Sequence, residues 1–252
     1  MIGLLSWKEP QGGIPPRTVT LAERNILHTR FLCAEIARGP RTVEAALRRR
    51  VNAAAKRLRR AGVTRVVLPE RFAWGAQLER QGLRPVSTLS LRRRLAADWV
   101  RRALTEAGVS PAGARIAVSA AQMTGELVRT VTELSLRHRY VLLDVPYGGE
   151  ELCRRLRREY GISLLLGPDR PQLEAADALV LFDPRTDLRR EGGVTLPLYD
   201  ENAPMGALSL PPALEERLPE GADRGQLLSA LLEAGTLRPE QVSASAFRGG
   251  EG

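Results

Sequence analysis

The chemistry this chain can offer sits in a few polar or small residues at the ends of apolar runs. Ser119-Ala-Ala-Gln-Met-Thr-Gly125 follows directly on the run Arg115–Val118 and runs into a helical pattern from Gln122 to about Arg137. A loop in that place can hold a phosphate on its backbone N–H groups, and glycine is favoured wherever the phosphate must approach closely. The dinucleotide fingerprint G-x-G-x-x-G would place glycines at 119, 121 and 124. The chain has Ser119, Ala121 and Thr124 instead, with Gly125 one position late. Asp144 ends the next apolar run, about twenty residues on, where a carboxylate can accept from ribose hydroxyls. Ser119, Ala121, Thr124, Gly125 and Asp144 are therefore the candidate cofactor contacts, and NAD is the cofactor they would suit. Each also has a plain structural use, as a loop residue, a helix cap or a solvated strand end.

Three more residues follow apolar runs and are candidate substrate contacts. Asp183 and Arg185 close Ala178-Leu-Val-Leu-Phe-Asp-Pro-Arg185, and Tyr147 precedes Gly148-Gly149. A carboxylate there could take an amine or hydroxyl, a guanidinium could grip a carboxylate or phosphate in two places, and a ring could stack on a base. No nucleophile–base pair, no Cys/His metal set and no G-x-x-x-x-G-K-[ST] loop is present, so no catalytic residue and no metal ligand is assigned. His138, in the basic turn Arg137-His-Arg139, is expected at the surface, and His28 lies in a segment of undecided structure. Cys33 and Cys153 sit in apolar patterns and read as reduced thiols, which favours a cytoplasmic protein.

The elements that must position these residues are legible in the middle of the chain. Arg115–Ser119, Tyr140–Asp144, Ile162–Leu166 and Ala178–Asp183 are near-continuous apolar runs alternating with amphipathic helical patterns. That alternation predicts neighbouring parallel strands covered on both faces, and right-handed crossovers make an open, doubly wound sheet of them. Upstream, Val43, Leu47, Val51, Ala54 and Leu58 mark one stripe of a helix from Thr42 to Ala61, with Thr42 as its cap. Val63–Leu68 and Leu83–Val86 read as strands, Arg71–Gln81 as a helix. Thr20-Leu-Ala-Glu23 matches a capping box for a helix from Leu21 to Ala37, while Ile26–Ile36 fits a strand equally well. Pro10–Pro16 reads as a turn-rich connector. Leu89–Ala107 is a long helix joining a small N-terminal α/β domain, residues 1–110, to a second domain, residues 111–252. Past Pro184 the pattern loosens, with a strand at Val194–Tyr199, a helix capped by Asp223 and a last strand at Val242–Phe247.

The runs Glu106–Gly113, Arg115–Val118 and Leu179–Phe182 resemble the Rossmann nucleotide-binding domain of shikimate dehydrogenase and glutamyl-tRNA reductase-type proteins. The resemblance is one of layout and hydrophobic pattern over about residues 89–185. It implies a small α/β domain, a connecting helix and then a Rossmann-like domain, with NAD(P) as the family's cofactor. The family's glycine loop and its lysine–aspartate pair have no counterpart here.

Composition narrows the classes further. Hydrophobic residues make up 43% of 252, ordinary for a folded protein, and no apolar run is long enough to span a bilayer. Residues 1–110 carry 22 Lys and Arg against 8 Asp and Glu, whereas residues 111–252 carry 16 against 21. Lys8 and Lys56 are the only lysines, so the basic excess is arginine. Arginine used this heavily on helix exteriors fits a compositional bias, and only 4% aromatic residues and no recognised nucleic-acid motif count against nucleic acid as the partner. The reading that follows is a Rossmann-like protein with a degenerate phosphate loop, non-catalytic, binding a small molecule or a protein partner. An NAD(P)-dependent oxidoreductase is the alternative, and nucleic-acid binding through the arginine-rich half the second.

Overall fold

The computed structural model describes residues 1–9, 19–203 and 205–244. The chain divides into two compact units: Met1–Thr88 with Ser209–Val242, and Leu89–Leu208 with the segment from Ser243. The helix expected to join two domains thus goes with the second unit, and much of the C-terminal part returns to the first.

Period-two alternation builds the first unit's sheet. Its elements are β1 (Ile2–Lys8), β2 (Val19–Ile26), β3 (Thr29–Ala37), α1 (Glu44–Arg60), β4 (Arg65–Val67), α2 (Gly75–Arg80) and β5 (Arg84–Pro85). The strand order is β2-β3-β1-β4-β5, parallel throughout except for β2, which runs antiparallel to β3. Of the helix and strand readings left open for this segment, the strand holds, in a β-hairpin. Leu27 and His28 form its two-residue turn, both with positive φ (44° and 68°), which suits the twist of paired strands. Thr20 is not a capping residue; its hydroxyl donates to Glu35 across the strands at 3.2 Å. Pairing decides here, because β2 is an edge strand that buries only Val19 and Ile26 and so has no clean alternation.

Leu47, Val51, Ala54 and Leu58 of α1 pack on the sheet as the stripe predicts. A Cβ on Gly3 would stand 3.0 Å from Val63 and 3.5 Å from Leu58, so glycine lets the end of α1 approach β1. Val43 departs from the expected stripe. It precedes the helix as N-cap, is 67% exposed, and has no side-chain cap bond. Thr42 accepts from the Gly39 amide at 2.9 Å rather than from the helix. Arg71, with φ 54°, delays α2 to Gly75. After α7 (Pro212–Glu215) comes α8 (Arg224–Glu233), capped as expected by Asp223, which accepts from the Gln226 amide at 2.9 Å. Gln226 in turn accepts from the Leu68 amide at 2.9 Å and ties α8 to the end of β4.

The second unit contains α3 (Leu89–Glu106), β6 (Arg115–Ser119), α4 (Gly125–Arg137), β7 (Tyr140–Asp144), α5 (Gly149–Tyr160), β8 (Leu165–Leu166), α6 (Arg170–Glu174), β9 (Ala178–Leu181) and β10 (Val194–Pro197). The order β10-β9-β6-β7-β8 is parallel at every pairing, which numbered within the unit is 3-2-1-4-5. That is the doubly wound Rossmann arrangement, with the strand order reversing between β6 and β9. Ile116, Ala117 and Val118 are fully buried, as are Ala178 to Leu181, because helices cover both faces. Leu91, Leu95, Trp99 and Ala103 of α3 are buried as one face. The third strand is shorter than its apolar run, since only Leu165 and Leu166 reach β7. His138 is a correction: it is 3% exposed, not at the surface. Its Nδ1 lies 3.2 Å from the Pro111 carbonyl, and burial holds its pKa below the usual imidazole value. Of the expected last strand, Ser243–Ala244 is extended; residues 245–247 and the connector 10–16 lie outside the described residues.

Candidate functional site: a crevice filled by its own side chains

A doubly wound sheet binds ligands at the carboxyl ends of its strands, where the order reverses. Here that place lies between Ser119, ending β6, and the segment Phe182–Arg185 after β9. The two strands are tied to their ends, Phe182 N–H donating to the Ser119 carbonyl at 3.0 Å and Ala120 N–H to the Asp144 carbonyl at 3.0 Å. The residues predicted from sequence do meet there, but they meet one another.

Ser119 is 3% exposed, and its hydroxyl donates to the Asp144 carboxylate at 2.8 Å. Arg185 reaches across from beyond β9 and donates to the same Asp144 oxygen and, at 2.8 Å, to the Ser119 hydroxyl oxygen. The other edge of its guanidinium grips Asp187 in two bonds, both 2.8 Å. Arg185 is thereby held well above the usual arginine range, chiefly by the bond to Asp187, and the Asp187 carboxyl is lowered to about 2 by the same contact. Asp183 turns the opposite way and accepts from the Ala121 amide at 2.7 Å. A loop donor that a pyrophosphate would use is therefore taken by a carboxylate. Asp144 and Asp187 share the Arg185 guanidinium while Asp183 is held by a backbone amide alone, so the carboxylates of this cluster outnumber its cation and disfavour an anionic ligand.

Thr124 is a cap, its hydroxyl oxygen accepting from the Leu127 amide at 3.2 Å. Gly125 opens α4 in free space, where a Cβ would meet nothing within 4 Å, so it is not the glycine of tight helix–strand packing. Asp187 was missed by sequence reasoning. Its signal was the spacing Asp183-x-Arg185-x-Asp187, a basic residue flanked by acids at the reversal point.

Tyr147 stands apart from this cluster. It is 86% exposed and lines a cavity of about 590 Å³ at the carboxyl ends of β7 and β8. Leu143, Val145 and Leu166 form the apolar side; Gly148, Gly149, Glu150 and Arg154 complete it. Gly148 has φ 84°, and a Cβ on Gly149 would press on Val145 at 3.2 Å, so both glycines are needed to start α5 beside the strand end. Arg154 donates to Glu151 at 2.8 Å. Among the described residues, no group of three or more His, Cys, Asp or Glu side chains is arranged to hold a metal ion. Nor is any described helix long and apolar enough to cross a membrane.

No protein-family model matches the chain, and no characterised protein matches it by sequence. Similar solved structures include shikimate 5-dehydrogenase from Listeria monocytogenes in complex with shikimate and NAD, at 11% identity and TM-score 0.29, covering 66% of this chain and 67% of that one. D-lactate dehydrogenase with NAD⁺ from Lactobacillus jensenii is 12% identical at TM-score 0.27, covering 61% and 56%. Apo D-mandelate dehydrogenase from Rhodotorula graminis is 10% identical at TM-score 0.35, covering 93% and 78%. The chain thus spans little more than half of the D-lactate dehydrogenase. Each of these neighbours is a dehydrogenase. At such scores they carry no argument; the Rossmann-like assignment rests on the strand order and its parallel pairings.

Proposed function

We propose that this chain is a non-catalytic Rossmann-like protein that binds a small organic molecule at the β7–β8 cavity. The observation that carries the reading is the filling of the nucleotide crevice by Arg185 and Asp183. Asp144, the residue suited to ribose, already holds Ser119 and Arg185, and the Ala121 donor already holds Asp183. A ligand would have to break these bonds and bring phosphate charge beside unpaired carboxylate. The cavity by Tyr147 needs no such rearrangement, and its 590 Å³ lies within the range of ligand pockets, about 300–1,000 Å³. Its apolar floor and mixed polar rim suit an organic molecule with an apolar body and a polar end.

A melting-temperature screen of small metabolites tests this, because binding to the native state alone raises apparent stability. A hit is expected to lose its shift in Tyr147→Ala and Arg154→Ala, two exposed positions whose replacement leaves the unliganded melting temperature in place. A hit that both variants retain, or turnover of NADH or NADPH that Asp144→Ala abolishes, would overturn the reading. The second outcome would establish the oxidoreductase alternative, which Asp144 at the end of β7 and the 3-2-1-4-5 strand order support.

A further inference from the structure

The first unit has a carboxyl edge of its own, and its contents differ from those of the crevice above. β1, β3 and β4 run parallel, so the end of β1 and the loops after β3 and β4 gather on one side of that unit. Three aromatic rings meet there. Trp7, near the end of β1, stacks on Phe72 with centroids 5.9 Å apart, and Trp74 stands edge-on to each at 5.6 Å. All three are only partly buried, on the rim of the core under α1. The guanidinium of Arg38, first residue after β3, lies 5.2 Å from the Trp7 ring centroid.

Next to Arg38 in the same loop is a cavity of about 470 Å³, lined by Gly39, Pro40, Arg41, Thr42, Val43, Ala46 and Arg50. Arg50 is fixed in place, donating to the Ala37 carbonyl at 2.5 Å, while Arg41 is exposed. Val43, 67% exposed, adds apolar surface to the wall. Arg38, Arg41 and Arg71 lie in the loops after β3 and β4 and Arg50 in α1, while the acidic residues of this edge are Glu9, Glu70 and, at the start of α1, Glu44. Glu35 is spent elsewhere, paired with Lys8 at 2.7 Å and Arg24 at 2.5 Å.

We propose that this edge binds a nucleoside phosphate, the base against the exposed flank of the Trp7–Phe72–Trp74 cluster and the phosphate at Arg41 and Arg50. Aromatic rings accept any base on its π-face, and guanidinium groups suit phosphate through their fork of donors. The carboxyl edge of a parallel sheet is where an α/β unit takes ligands. A free nucleotide and the end of a single strand share this chemistry, and the site reads both.

Tryptophan fluorescence of the full chain provides the test, since two of its three tryptophans are in the cluster. AMP, ribose 5-phosphate and a short single-stranded oligonucleotide are titrated in parallel. Saturable quenching by AMP is expected, weaker for ribose 5-phosphate, and unchanged by Asp144→Ala in the other unit. Arg41→Glu should weaken AMP by about tenfold or more, because two units of charge change beside the phosphate, with the melting temperature intact. Trp74→Leu should remove the advantage of AMP over ribose 5-phosphate. Tighter, more salt-sensitive binding of the oligonucleotide than of AMP would identify the strand as the source; the reverse would identify the free nucleotide. Absence of saturable quenching by all three at millimolar concentration would overturn the proposal. So would binding that Asp144→Ala abolishes or that Arg41→Glu leaves untouched.

Discussion

Replacing Arg185 with alanine removes the cation that binds Asp144 and Asp187, and four hydrogen bonds with it. Their values are not equal. The pair with Asp187 is open to solvent, the carboxylate side chain being 52% exposed, and solvent screening leaves it little weight. The bonds to Asp144 and Ser119 lie deeper, with Asp144 28% exposed, and hydrogen bonds to charged groups there contribute about 1.5–3 kcal/mol. The loss is therefore about 1.5–3 kcal/mol, which for a chain of this size lowers the melting temperature by roughly 3–12 °C. Thermal melts followed by circular dichroism measure it. Arg185→Lys should recover less than half, since an ammonium cannot fork between two carboxylates. A cycle with Asp144→Ala should give a coupling of at least about 1 kcal/mol. If Arg185→Ala melts with the wild type, or the two substitutions add without coupling, the guanidinium is not filling the crevice.

Four further outcomes follow from particular contacts. His138 is buried with a lowered pKa, so the unfolded chain binds its proton more readily; this contribution to stability is present above the unfolded imidazole pKa and is lost as pH falls below it. His138→Leu should therefore flatten the dependence of urea stability on pH just below that value. His28 is exposed with φ 68°, a conformation costly for any residue with a Cβ, and His28→Gly should raise stability by up to about 1 kcal/mol in the same assay. Gly3→Val should lower stability by about 1–3 kcal/mol, because even a lone Cβ there meets Val63 at 3.0 Å. Ala121→Gly alone should leave NAD affinity unchanged by calorimetry, since Asp183 still occupies the amide. Adding Asp183→Ala should raise it about fivefold or more, the effect of removing one like charge near 4 Å even at the dielectric of water.

The second unit was readable because its signals agree. Strands buried on both faces give unbroken apolar runs, as at Ile116–Val118 and Ala178–Leu181, and the helices between them stop at glycines with positive φ, as at Gly161. The positions of Ser119, Asp144, Asp183 and Arg185 at strand ends followed directly. Their mutual bonding did not, because periodicity places residues at an edge and says nothing of rotamers reaching over it. The β2–β3 hairpin was ambiguous for a different reason. Its turn uses Leu27-His28 where Asn-Gly would have announced it, and the exposed edge strand β2 has no buried face to alternate. His138 was misplaced because its charged neighbours Arg137 and Arg139 look like surface, whereas the segment around Pro111 folds over the ring. Trp7 is far in sequence from Phe72 and Trp74, and only the sheet order brings β1 beside β4.

The central claim is that the Rossmann crevice is filled by its own side chains, and a calorimetric titration of NAD into wild type and Asp144→Ala tests it most directly. The account predicts that the two proteins behave alike, with no binding attributable to Asp144 up to millimolar NAD. Binding to the wild type that Asp144→Ala abolishes would contradict it, because Asp144 would then be free to hold a ribose.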